Sequence, residues 1–361
     1  MRQFVERELA PHRARWEKEG RADLDAWTKA GAMGLLVPAV PEPYGGPGGT
    51  FAHEAVVIEE LARANLHLGF DIQSIVARYI LAYGSEDQKQ RYLPCLASGE
   101  FVGAIAMTEP DSGSDLQSIK TNARRDGDHY LINGAKTFIT NGASASLVCL
   151  AVRTGSTPGP RALSLLLVET KDLRGFRVGR SLPKIGRHAQ DTCELFFDAV
   201  RVPVTNLLGA GEGRGLLQLM EQLRHERLSI ALSAVAAAES ALEITTRYVK
   251  ERTISGKPLF ELQNARFKLV ECQTEAHVAR VFVDNCIELF IAGKLDDATA
   301  AMAKYWATER QFQIIDTCVQ LHGGYGYMEE FPVARMWADS RAQRIYAGSN
   351  EIMKEVVAWS L

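Results

Sequence analysis

DGDHYLINGAKTFITNGASASLVCLAVR, residues 126–153, has a different rhythm from the chain on either side of it. Short apolar runs are separated by the turn dipeptides Asp126-Gly127, Asn133-Gly134 and Asn141-Gly142, which supply the positive-φ residues that tight hairpins need. HYLING and SLVCLAV within this stretch, and ALSLLLVE and CELFFDAVRVP beyond it, have the length and composition of strands. No helical run separates them, so βαβ units are excluded and an antiparallel sheet domain is expected over residues 101–212, its strands ending near Leu208.

On both sides the period returns to three and four residues. Residues 1–100 carry Val56, Val57, Glu60 and Leu61, then Ile75, Tyr79 and Ile80, at helical spacing. They are interrupted by VPAVPEPYGGPGGT at 37–50, whose prolines and glycines require a loop. Residues 213–361 hold long helical runs at about 214–252, 262–293 and 296–321, followed by shorter helices. The expectation is an α+β multidomain chain: N-terminal helical domain, middle β domain, C-terminal helical bundle, with the two helical parts able to pack as one body.

The 361 residues are 46% apolar and 24% charged, which leaves no room for a mostly disordered chain. Lys and Arg total 41 against 44 Asp and Glu, so there is no electrostatic footprint for a nucleic acid or an anionic membrane as partner. No apolar run approaches the ~20 residues of a spanning helix. Six scattered cysteines without a C-x-x-C pair or a Cys/His cluster point to a reducing compartment and to no metal site. The start MRQFVERELAPHRARWEKEG reads as a structural helix and not as a targeting segment. A cytoplasmic protein is expected, with a mature mitochondrial-matrix form left open.

Two glycine-bearing stretches invite a ligand. GAGEGRG, Gly209–Gly215, fails the dinucleotide fingerprint because Arg214 or Leu216 falls at the sixth place, and it reads as an interdomain link. AMTEPDSGSD, Ala106–Asp115, leaves a strand on a backbone that Pro110 and Gly113 turn away from regular pairing. Its N–H groups and the hydroxyls of Thr108 and Ser114 can bond carbonyl or phosphate oxygens, although composition alone favours an ordinary surface turn.

AMTEPDSGSD followed by KTFITNG, Lys136–Gly142, resembles the paired signatures of acyl-CoA dehydrogenases. The resemblance continues through RHERLSIA (224–231), VKERTISGKP (249–258), FVDNC (282–286), AMAKYWATE (301–309), VQLHGGYGYMEEFP (319–332) and IYAGSNEIMKE (345–355), and looks most like the long-chain branch. It covers essentially the whole chain. The resemblance implies the three-part fold, a homotetramer, FAD as cofactor, an acyl-CoA substrate and an electron-transfer flavoprotein as electron acceptor.

Carried over by residue, it implies that Ile105, Met107, Thr108, Gly113, Ser114, Phe138, Ile139 and Thr140 line FAD, with Thr108 near the pyrimidine edge and Thr140 near N5. Phe138 stands where many relatives have Trp, keeping a flat surface and losing an N–H donor; by itself it would be a core aromatic at a strand end. Arg252 and Gln263, with Gln320, Leu321, His322, Gly323 and Gly324, match positions that hold the dinucleotide across a subunit contact. Alone, Arg252 would be a solvated helix charge, His322 a packing residue, and the glycines a helix stop. Ser349, Asn350 and Glu351 match further FAD contacts and could equally cap the last helix. Ser114, Arg227, Tyr346, Ala347 and Gly348 match the substrate side.

Many family members carry the catalytic Glu in the loop before the last helix, as Tyr-Glu-Gly, whereas this chain reads Tyr346-Ala347-Gly348. A methyl group accepts no proton. The long-chain and isovaleryl branches place the carboxylate in the helix at the HERL motif, here Glu226, which on its own would pass for an ion-pair partner of Arg224, His225 or Arg227. A base there has to be desolvated to gain proton affinity, with Arg227 opposing part of the rise. The implied reaction is α-proton removal by Glu226 and β-hydride transfer to flavin N5, giving a trans-2-enoyl-CoA. The alternatives are a carrier-protein thioester dehydrogenase, an oxygen-using oxidase or monooxygenase on the same fold, and an acyl-CoA-binding paralogue without turnover.

Overall fold

The computed structural model describes residues 1–155, 159 and 161–361. The first part contains α1 (Arg2–Phe4), α2 (Arg13–Glu19), α3 (Leu24–Ala32), α4 (Phe51–Arg63), α5 (Phe70–Tyr83) and α6 (Glu86–Ser98). The middle part contains β1 (Gly103–Ala106), β2 (Asn122–Asp126), β3 (His129–Thr140), β4 (Leu147–Arg153), β5 (Leu163–Glu169), β6 (Phe176–Ser181) and β7 (Thr192–Pro203). The last part contains α7 (Gly215–Glu251), α8 (Gln263–Ile291), α9 (Asp297–His322), α10 (Pro332–Ser340) and α11 (Asn350–Ala358). Local chemistry sets many of these limits. Ser85 and Gln88 form a reciprocal cap at the start of α6, the Asp296 side chain accepts from Thr299 N at the start of α9, and Pro332 opens α10.

The seven strands form one sheet in the order β1-β4-β2-β3-β7-β6, with β5 also on β4. Two expectations need correction. The sheet is mixed: β1 and β4 run parallel, because the chain makes the β2–β3 hairpin between them and returns to the same end. Of the three turn dipeptides, only Asp126-Gly127 closes a hairpin. Asn133-Gly134 sits within β3 at a shift in its register with β7, and Asn141-Gly142 leads to a strand that does not pair with β3. Positive φ serves a bulge as well as a hairpin.

β4 and β5 are buried on both faces, which is why their sequences are continuous apolar runs. Leu147, Cys149, Ala151, Leu163, Leu165 and Leu167 face the N-terminal helices, while Val148, Leu150, Val152, Leu166 and Val168 face β3 and β7. The helical parts do join as one body: Phe51 and Ala55 of α4 share a core with Leu228, Leu232 and Val235 of α7 and with residues of α8 and α9. α7 is long and apolar enough to cross a membrane by length and composition, contrary to the expectation from runs alone, and 78% of its most apolar 18-residue stretch is buried inside the protein. All six cysteines are free, and only Cys95 is partly exposed.

The helical body is tied to the sheet by amide side chains. Gln73 donates to Leu96 O (2.8 Å) and Phe101 O (2.7 Å) and accepts from Gly103 N (2.7 Å). Asn141 donates to Gly69 O (2.9 Å) and Gly103 O (3.1 Å). Gln73→Leu keeps the volume and leaves three main-chain groups without partners, so urea unfolding should show a loss of roughly 2–5 kcal/mol at unchanged m-value.

Candidate functional site

The loop after β1 is held from beneath by a buried ion pair. Lys136 of β3 donates to Glu109 Oε1 (2.8 Å) and Met107 O (2.9 Å), and Glu109 also accepts from Lys120 N (2.7 Å) and Thr121 N (2.9 Å). Burial pulls the Lys136 ammonium down to about 8, against the attraction of Glu109. Thr137 N donates to Thr108 O (3.0 Å), so the Met107–Ser114 loop and the end of β3 form one rim. Gly113 and Ser114 are exposed at its tip.

At that rim β3 slips register against β7 between Lys136 and Ile139, and Phe138 takes φ +58°. The ring is 66% exposed, so it is no core aromatic. Left-handed backbone is a strained choice for a bulky residue, and here it turns an aromatic face outward. Ile139 beside it has its side chain buried in the sheet core, leaving its main chain to face the rim.

A second cluster lies on the helical bundle. Arg252, Gln320, Leu321, His322, Gly323 and Gly324, with Tyr248 and Tyr325, line a groove of about 530 Å³. Gly323 has φ +62° and ψ −139°, a conformation open to glycine alone, and a Cβ at Gly324 would meet nothing within 4 Å. His322 stacks on Tyr248 at 4.1 Å, a packing role, and its ring Nδ1 bonds Cys318 O (2.9 Å). Gln263 opens α8 and is absent from the lining, and no rim residue contributes to this groove.

Glu226 is 5% exposed on α7. Burial pushes its carboxyl up to about 7, opposed by a hydrogen bond from Tyr79 Oη to Oε1 (3.1 Å) and by Arg227. Among the described residues this is the one side-chain hydrogen bond Glu226 makes, leaving Oε2 uncommitted. Its neighbours are committed elsewhere: His225 to Glu54 (2.9 Å) and Arg224 to Asp297 (3.0 Å). Arg227 is buried, with Nε unpartnered.

The loop before α11 holds Ala347 at φ +52° and Gly348 at φ +86°, where a Cβ would strike Met353 Cε at 2.6 Å. Arg187 lies over the Tyr346 ring at 5.3 Å. Ser349 caps α11 through Ile352 N (3.4 Å). The Asn350 amide bonds Lys304 (2.9 Å), Thr308 (3.0 Å) and Glu309 (3.0 Å) inside the protein. Glu351 stays exposed.

Sequence reasoning missed Tyr79, Lys304 and the Glu109–Lys136 pair. Lys304 had a visible signal. It sits on the buried stripe Ala300, Ala303, Ala307 of α9, where a charge needs partners. Tyr79 had none, since its spacing is that of any core residue.

A carboxyl raised toward neutrality inside the helical body and a sheet rim with an outward aromatic are the two features that point to acid–base chemistry. The chain belongs to the acyl-CoA dehydrogenase family, matching its N-terminal domain over residues 1–100, its middle domain over 104–200 and its C-terminal domain over 213–361. It is an FAD-dependent family of oxidoreductases acting on acyl-CoA, and this chain falls with the long-chain branch. It is 47% identical to the long-chain specific acyl-CoA dehydrogenase of Sus scrofa mitochondria over 99% of this chain and 84% of that one. An acyl-CoA dehydrogenase from Geobacillus kaustophilus superposes with a TM-score of 0.97 at 47% identity, covering 99% and 95% of the two chains. A Mycobacterium smegmatis glutaryl-CoA dehydrogenase in complex with FADH2 superposes at 0.93 with 28% identity, covering 99% and 92%.

Because the Glu226 carboxyl is raised from 4.5 to about 7, the folded chain keeps a proton that the unfolded chain releases across that window. This contribution to stability is full below pH 4.5 and is lost as pH rises through 7. Glu226→Gln removes the loss, so its stability relative to the parent should rise by about 3 kcal/mol between pH 4.5 and 8 in urea unfolding. A pH-independent difference would contradict the raised carboxyl.

Proposed function

We propose that this protein dehydrogenates a long-chain acyl-CoA between Cα and Cβ, with Glu226 as the general base. The observation that carries the reading is the buried Glu226 carboxyl, near 7 and with Oε2 free, in a chain whose loop position 347 is alanine. Oε2 takes the α-proton. The main-chain N–H of Ala347 donates to the thioester oxygen, where negative charge develops as that proton leaves. Losing a carboxylate side chain at 347 costs nothing in this second role, which belongs to the backbone. Tyr79 holds Oε1 and so orients the carboxylate.

The residues present fit FAD. The exposed, outward-turned Phe138 offers a stacking face, Thr108, Ser114 and Thr140 offer hydroxyls along the rim, and Arg252 beside Gly323 and Gly324 offers a guanidinium fork over open backbone for a diphosphate. What FAD supplies when bound is an acceptor, at N5, for the β-hydride. Rim and groove share no lining residue, and the rim of one copy with the groove of a second would hold the two ends of the dinucleotide. Phe267, Val270, Val278 and Val281 form an exposed apolar stripe on α8 at helical spacing, which suits a homotetramer. An electron-transfer flavoprotein is the proposed acceptor of the electrons.

Glu226→Gln should slow single-turnover flavin bleaching by long-chain acyl-CoA roughly 10²–10⁴-fold while thioester binding survives. Bleaching at the parental rate would overturn the base assignment. In the parent enzyme kcat/KM should fall about tenfold per pH unit below 7 as Oε2 becomes protonated. Arg252→Ala should lose FAD on gel filtration with unchanged far-UV circular dichroism, and full retention would remove Arg252 from the site.

A further inference from the structure

The loop that carries Ala347 has two successive left-handed residues and no sheet or helix pairing of its own, so something else has to fix it. Lys304, wholly buried on α9, donates to Gly348 O (2.8 Å) and to Asn350 Oδ1 (2.9 Å). Asn350 is pinned in turn by Thr308 and Glu309, and Glu309 is paired with Arg344 (2.9 Å). The charged groups facing Lys304 are Arg227 from α7, Glu351 from α11, Glu309 from α9 and Arg344 from the turn before the loop. The lysine therefore stands between the helix segment that holds Glu226 and the backbone that holds Ala347. An anchor for α11 alone would need only the Asn350 contact. The bond to Gly348 O instead fixes the Gly348–Ser349 peptide, and with it the exit of the two left-handed residues whose first N–H is that of Ala347.

We propose that Lys304 is a positioning residue for the dehydrogenation: it holds the Ala347–Gly348 backbone so that the Ala347 N–H meets the thioester oxygen at the moment Glu226 removes the α-proton. This rests on the function proposed above. A misplacement of about 1 Å at such a donor is enough to cost ~10²-fold in rate.

The test uses the FAD-loaded protein and a 3-thia-acyl-CoA, which has no β-hydride to give and stops at the enolate. The enolate is read by its charge-transfer band with oxidised flavin. Lys304→Met should retain FAD and bind the analogue within a few fold of the parent. Its enolate should form only at a pH 1–2 units higher, and bleaching by the true substrate should slow roughly 10–10²-fold. Lys304→Gln, which keeps N–H donors, should recover part of both. An unshifted enolate titration in folded Lys304→Met overturns the proposal, as does a loss confined to stability or FAD content. Should Lys304→Met not fold, Lys304→Gln carries the test alone: its shorter side chain reaches Gly348 O less well, so its titration should move by less in the same direction, and no shift in folded Lys304→Gln overturns the proposal equally. Glu226→Gln serves as the separate control. It should bind the analogue without the band, and a persisting band would fail the base assignment while leaving the Lys304 comparison readable.

Discussion

Everything in this molecule is arranged around the burial of α7. Thirty-seven residues of helix, apolar on most faces, can be kept from water only if other elements enclose them, and no single segment of this chain is large enough. The N-terminal helices cover one side through Phe51 and Ala55, and α8, α9 and α10 cover the rest. The enclosure brings the two ends of the sequence into one body and leaves the sheet domain as an insertion clamped by Gln73 and Asn141. It also buries Glu226, so the raised carboxyl is a by-product of the same packing that stabilises the fold.

Two buried lysines do parallel work in different parts of the chain. Lys136 reaches up from β3 to hold the loop after β1, and Lys304 reaches from α9 to hold the loop before α11. In each case an irregular segment that carries main-chain donors is fixed by an ammonium with several hydrogen bonds from a regular element. Desolvating each ammonium is offset by an acceptor set from one short segment, Glu109 with Met107 O or Asn350 with Gly348 O. Such loops can stay open to a ligand on one side without losing their shape.

The order helix, sheet, helix was legible because periodicity changes sharply at Phe101 and again at Gly213. The parallel β1–β4 pair was not, since a run such as SLVCLAV records burial on two faces and says nothing of a partner's direction. Asn133-Gly134 and Asn141-Gly142 misled for a related reason: the dipeptide specifies a backbone angle and not the hairpin in which that angle is usually found. At the site, the resemblance picked out Glu226 and the groove, and the missing carboxylate at 347 was plain to read. Tyr79 was invisible, because a hydroxyl on a core-facing ring shows its purpose only when the opposite helix is in place. The engagement of the Asn350 amide inside the protein was invisible for the same reason, since its partners lie on a different helix.

The left-handed loop at Ala347 and Gly348 contributes backbone, and the carboxylate sits on a helix some hundred residues away in sequence. On the function proposed above, polarising the thioester and removing its proton fall to parts of the chain that can change independently. A substitution at 347 changes the side chain on that loop without moving the carboxylate on α7. A relative with Glu in that loop has both tasks tied to one residue, whereas here the two can drift separately.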